Sequence, residues 1–141
     1  MKEAIQPDGV ARPAAPYSPV VVSGDLVYTA GQVGFDESGQ LTADDITGQT
    51  TRVFENLLGC LEAAGCGPSD VIKVNAYLND LGDFAAFNEV YKTIFFEPYP
   101  ARTTVGVSLP GGILVEVEAV QFIPMLGDHV IDRDCRHRNC S

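Results

Sequence analysis

Histidine is missing from the first 128 residues of this 141-residue chain, and tryptophan is missing altogether. Cations are scarce as well: nine Lys and Arg stand against nineteen Asp and Glu, a formal net charge of −10. From Asp128 onward three Arg balance three Asp, so the body carries the whole imbalance. Its only cations are Lys2, Arg12, Arg52, Lys73, Lys92 and Arg102. A chain this acidic repels phosphate backbones and anionic lipid at long range, which argues against nucleic acid or a membrane surface as partner. The lack of an imidazole in the body makes histidine-dependent hydrolysis a poor fit. A Walker loop, a dinucleotide glycine fingerprint and a G-x-S-x-G elbow are absent too, which disfavours phosphoryl transfer, nicotinamide redox and serine hydrolase chemistry.

No stretch approaches the roughly 20 apolar residues of a membrane helix, and Met1–Gly9 lacks the apolar centre of a signal peptide. The expectation is a soluble cytoplasmic protein. The four cysteines, Cys60, Cys66, Cys135 and Cys140, make no disulfide framework and read as free thiols. In the tail, Cys135-Arg136-His137-Arg138-Asn139-Cys140 offers three soft groups at spacings that match no closed zinc pattern, so no metal is expected.

What is present describes one small domain, residues 1–124, with a C-terminal extension over 125–141 of unknown role. The Pro- and Ala-rich opening to Pro19 reads as an irregular arm. Val20–Ser23 and Leu26–Ala30 read as two strands about the Gly24-Asp25 turn. Thr42 is the expected start of a long helix, on which Val53, Leu57, Leu58, Leu61 and Ala64 recur at helical spacing until Gly65. Val71–Leu78 is rich in β-formers. Phe84, Phe87, Tyr91, Ile94 and Phe95 line one face of a second helix that Pro98 and Pro100 end. Thr103–Val107 and Ile113–Ile123 complete the strands. The order ββ-α-β-α-ββ fits an α+β fold, a mixed sheet with two helices packed on one face.

Few residues could do chemistry. Arg102 follows Pro98-Tyr99-Pro100-Ala101, whose fixed φ angles deliver it to the start of a strand. Its guanidinium stays charged at any biological pH and matches a carboxylate in two-pronged fashion, though a surface ion pair would also account for it. Glu116 and Glu118 alternate with Val115, Val117 and Ala119, so both carboxylates share one face about 6.5–7 Å apart. They are either a solvated strand face or a pocket acid that holds a water as general base. Tyr17 either offers a phenol or pins the arm. Asn88 is an exposed polar residue or a group aimed at a cleft, and Gly31 a bulge or a place of close approach.

Together these segments resemble the Rid family (RidA, YjgF, L-PSP) from about Ala15 to Ile123. The resemblance rests on Ala15-Pro16-Tyr17-Ser18, Thr29-Ala30-Gly31-Gln32, Gln49, Asp83-Phe84-Ala85-Ala86-Phe87-Asn88, Pro100-Ala101-Arg102-Thr103 and Val115-Glu116-Val117-Glu118-Ala119. It implies a chorismate-mutase-like fold, a homotrimer with pockets between subunits, and hydrolysis of reactive enamines and imines such as 2-aminoacrylate to 2-keto acids and ammonia. On that likeness Arg102 clamps the substrate carboxylate, Glu116 positions water, and Tyr17, Gly31 and Asn88 line the pocket. No organic cofactor or metal is implied. The chain departs from the family pattern at Thr104, where cysteine is frequent beside the pocket, at Ala30, where a hydroxyl residue is common, and at Pro19, a usual Gln. The first two bear on substrate preference. A non-catalytic trimeric carboxylate-binding protein is the alternative from another class. An endoribonuclease is a further one, against which the acidic body and the missing imidazole argue.

Overall fold

A computed structural model describes residues 1–65 and 67–123. Six strands form one sheet in the order β1-β2-β3-β6-β4-β5, with β1 at Glu3–Ile5, β2 at Val20–Ser23, β3 at Leu26–Thr29, β4 at Val71–Leu78, β5 at Ala101–Gly106 and β6 at Val115–Phe122. The pairings are antiparallel except β4 with β5, so the sheet is mixed. Helices α1 (Ile46–Ala63) and α2 (Phe84–Ile94) complete the α+β architecture expected from the chain order. Among the described residues no helix is long and apolar enough to cross a membrane. The tail from Pro124, with its Cys and His, and the Cys66 thiol lie outside the described residues.

Strand alternation sorts the sheet into two faces. Val74, Ala76 and Leu78 of β4 stand opposite Ala119, Val117 and Val115 of β6, and all six are buried under the helices. Phe54 of α1 is the centre of that layer, its ring meeting those of Phe87, Tyr91 and Phe95 at 5.8–6.0 Å. A second cluster, Val10, Val20, Val27, Cys60 and Ala64, fastens the arm to the sheet. Burial pushes the Cys60 thiol up to about 12, so it packs as a small apolar side chain.

Of the boundaries that differ from the sequence reading, three do so for a clear hydrogen-bonding reason. The arm is not wholly irregular: Glu3, Ala4 and Ile5 pair with Val22, Val21 and Val20. Three residues are too few to show alternation, and the strand forms because β2 leaves an edge free. Helix α1 begins at Ile46 rather than near Thr42, whose N–H and hydroxyl both go to the Gly34 carbonyl, at 3.1 and 3.4 Å. Asp45 caps it instead, accepting from the Gly48 N–H. Strand β6 starts at Val115, because the Ile113 N–H closes a turn on Pro110 and the Leu114 N–H is taken by Gln49.

Gln49 is fully buried and fully satisfied. Its Nε2 donates to the carbonyls of Ala43 (3.1 Å) and Gly112 (3.0 Å), and its Oε1 accepts from the Leu114 N–H at 2.8 Å. It ties the helix entrance to the turn before β6. Gln49→Leu leaves these backbone groups unpaired in the interior and is expected to cost about 2–3 kcal/mol, read as a lower urea midpoint at unchanged slope.

Candidate functional site

The candidate residues fall into two groups, and the sheet divides them. Arg102 is the β5 partner of Val74, and Thr104 that of Ala76, so both point to the helix face. There the Arg102 guanidinium lies over the rings of α2, with Cζ 4.6 Å from the Tyr91 centroid, 5.6 Å from Phe84 and 5.7 Å from Phe87. Such cation–π contacts fix its plane without neutralising it. Its Nη1 donates to Asn88 Oδ1 at 2.9 Å. Asn88 is therefore an acceptor that orients the arginine. Among the described residues Arg102 has no other hydrogen bond and no carboxylate partner, whereas Arg52 and Lys92 each have one. The Thr104 Oγ1 is enclosed and unbonded, so this hydroxyl shares the arginine's face without lining an open surface.

Glu116 is on the other face. Its Cα partner is Tyr77, and Glu118 is opposite Asn75. Tyr77 donates a short hydrogen bond to Glu118 Oε1, and its phenol is pushed up to about 12, chiefly by that bond. Glu116 has no hydrogen bond among the described residues. Partial burial, and then the charge of Glu118, raise its carboxyl above the ordinary glutamate value. It borders a cavity of about 820 Å³ together with Tyr17 and Gly31. Gly31 is there because of close approach: a Cβ on it would stand 2.6 Å from Glu116 Oε1 and 2.8 Å from Cδ. The adjoining Gln32 exchanges both backbone bonds with Val117, which holds Gly31 against β6.

Sequence reasoning missed how the cavity wall is kept in place. Arg52 of α1 donates from Nε to the Phe35 carbonyl (2.9 Å) and from Nη2 to that of Gly9 (3.3 Å), joining arm to loop. Asn56 bonds the carbonyls of Val33 and Phe35. The scarcity of cations singled out Arg52, but nothing in the pattern showed its carbonyl partners.

Thus Tyr17, Gly31 and Glu116 gather at one cavity, while Arg102 and Asn88 gather elsewhere and do not line it. Within one chain the sheet itself separates the two groups. Residues 9–123 match the family model described as Endoribonuclease L-PSP.

The chain belongs to the L-PSP, or Rid, family. A RutC family protein of Pyrococcus horikoshii is 44% identical over 124 residues, covering 86% of this chain and 98% of that one. A 2-iminobutanoate/2-iminopropanoate deaminase of Mus musculus is 42% identical over 112 residues, covering 77% and 83%. The crystal structure of E. coli TdcF with bound serine superposes with a TM-score of 0.79 at 34% identity, covering 85% of this chain and 98% of that one. L-PSP relatives thus include proteins named as imine deaminases and one solved with a small amino acid.

Proposed function

We propose that this protein hydrolyses reactive enamines and imines bearing a carboxylate, such as 2-aminoacrylate and 2-iminobutyrate, to 2-keto acids and ammonia. It does so as a homotrimer of chorismate-mutase-like subunits, with each site shared between two of them. The observation that carries this reading is the Arg102 guanidinium. In a chain of net −10 it is fixed by three rings and one amide oxygen, yet no carboxylate among the described residues neutralises it. Most of its donors remain free for a small anion.

The division of the site supports assembly. Arg102 and Glu116 face opposite ways from one sheet, so a second copy must bring its Arg102 to the Glu116 cavity for both to act on one molecule. The face opposite the helices carries exposed Tyr28, Val105 and Phe122, apolar surface that such contact would cover. β5 is an edge strand, and its outer backbone groups are free to meet a ligand or a neighbour.

The chemistry asks little of the protein. The imine carbon is already electrophilic. Arg102 holds the carboxylate, a β5 carbonyl accepts from the iminium N–H, and Glu116 takes a proton from water as its oxygen bonds to that carbon. Glu116 returns that proton to the amine nitrogen; the C–N bond then breaks with its electron pair leaving on ammonia, which takes up the remaining hydroxyl proton as the C=O of the 2-keto acid forms. Residues 1–124 carry the activity in this reading.

The test is an amino-acid oxidase assay that generates imines from a panel of amino acids, with the decay of each imine followed. Faster decay of 2-iminobutyrate is the expected result. No acceleration, combined with a higher Tm in small carboxylates, would move the function to carboxylate binding. RNA cleavage that survives stringent repurification and disappears in Arg102→Ala would restore the ribonuclease description.

Gly31→Ala gives a local check. The new methyl group must displace the Glu116 carboxylate. It is expected to lower turnover at least about tenfold, since a misplacement of about 1 Å can cost more, with Tm changed by only a few degrees.

A further inference from the structure

Glu116 and Glu118 share a face, but the structure treats them differently. Tyr77 stands directly across from Glu116, yet its ring leans along the diagonal and its hydroxyl donates to Glu118. Diagonal neighbours on paired strands are within reach of an aromatic side chain. Glu116 accepts no bond from any described residue and opens onto the cavity. The other charged group of this face, Lys73, does not neutralise either carboxylate, because its Nζ goes to Thr103 Oγ1 of β5 at 2.9 Å. Of the neighbouring strands, β3 presents Tyr28 to the face and β5 presents Thr103 and Val105, none of them a carboxylate or a cation. The titratable residues that line the cavity with Glu116 are Tyr17, Asp8, Glu37 and Arg12.

We propose that Tyr77 and Glu118 form a positioning pair for Glu116: the phenol engages the Glu118 carboxylate and holds it beside Glu116, which leaves Glu116 as the carboxyl that exchanges protons with water in the cavity. A like charge held close to a carboxyl disfavours its ionisation. The phenol thus decides which of the two carboxylates is held and which stays open to water. The upward shift of Glu116, to which Glu118 contributes after burial, agrees with this arrangement. The inference rests on the deaminase reading for what Glu116 does, but not for which carboxyl holds its proton.

The test is therefore a titration read by NMR on the intact protein with labelled glutamate carboxyls, Glu116 being assigned from Glu116→Gln. Glu118→Gln keeps an acceptor for Tyr77 and removes only the charge. The Glu116 midpoint is expected to move to lower pH in that variant. The ratio of the imine hydrolysis rate at pH 5 to that at pH 8 is expected to rise about twofold or more. Tyr77→Phe releases the Glu118 carboxylate from its place beside Glu116, so the Glu116 midpoint is expected to move to lower pH there as well. A Glu116 midpoint unmoved by Glu118→Gln overturns the proposal. Should Glu118→Gln not fold, the nearly isosteric Tyr77→Phe decides: an unchanged Glu116 midpoint overturns the proposal equally. Absence of imine turnover in the wild type would defeat the deaminase reading and leave the titration result standing.

Discussion

Arg102→Ala is expected to lower kcat/KM for 2-aminoacrylate or 2-iminobutyrate by about 100- to 1,000-fold, the usual cost of removing one partner of an enclosed charge pair. The loss should leave the assembly intact, because the rings that hold the guanidinium also pack on one another: Tyr91 and Phe95 lie 4.8 Å apart, and Phe54 meets both. Arg102→Lys is expected to rescue little, since an ammonium makes neither the stacked contact with Tyr91 nor a fork for a carboxylate. A sharper result follows from the two faces of the sheet. Arg102→Ala chains keep Glu116, and Glu116→Gln chains keep Arg102. Refolded together in equal amounts, they should regain activity at about a quarter of the shared sites, although each variant is inactive by itself. Mixed chains as inactive as the separate variants would mean that one chain supplies both groups. Wild-type rates in Arg102→Ala would remove the carboxylate clamp from the mechanism.

The parts of this molecule that were legible in the sequence are those that depend on near neighbours. The alternation Val115-Glu116-Val117-Glu118-Ala119 placed both glutamates on one face, and the structure buries the three apolar residues on the other. The apolar spacing of both helices was equally plain, and Asn88 was marked as either exposed or aimed at a cleft. What the chain order did not disclose depends on pairings between distant segments. Strand β1 exists only through β2, and the helix start moved because Thr42 is occupied by Gly34. Gly31 was readable as a place of close approach, but the approaching group turned out to be Glu116 itself. The separation of Arg102 from Glu116 follows from the register of β4 with β5 on one side and β6 on the other. A one-residue shift in either ladder would have put them on the same face, and no local pattern specifies that register.

Glu116→Gln is expected to lower kcat for imine hydrolysis by about 100- to 1,000-fold, within the range for a positioned general base. Glu118→Gln should cost less than about tenfold, because Glu118 is engaged by Tyr77 and Glu116 is not. The reverse order would move the water-activating role to Glu118. The same substitution has a second signature in stability. The folded state binds the Glu116 proton more tightly than the unfolded chain, since burial and Glu118 raise the carboxyl from its ordinary value of 4.5. A group whose folded pKa is raised in this way makes a carboxylic acid destabilise the fold as it ionises: between the unfolded and folded pKa values the native state holds more protons, so stability falls as pH increases. Above the folded pKa that loss is complete. Glu116→Gln abolishes it, so the variant should have a higher Tm than the wild type at pH 7, and the difference should shrink as pH is lowered through the raised folded value toward 4.5. A carboxylate retained only as part of a solvated strand face would show neither effect. Lost turnover together with gained stability at pH 7 is the pattern of a group kept desolvated for reaction, whereas a lower Tm at pH 7 would mean that Glu116 serves the fold.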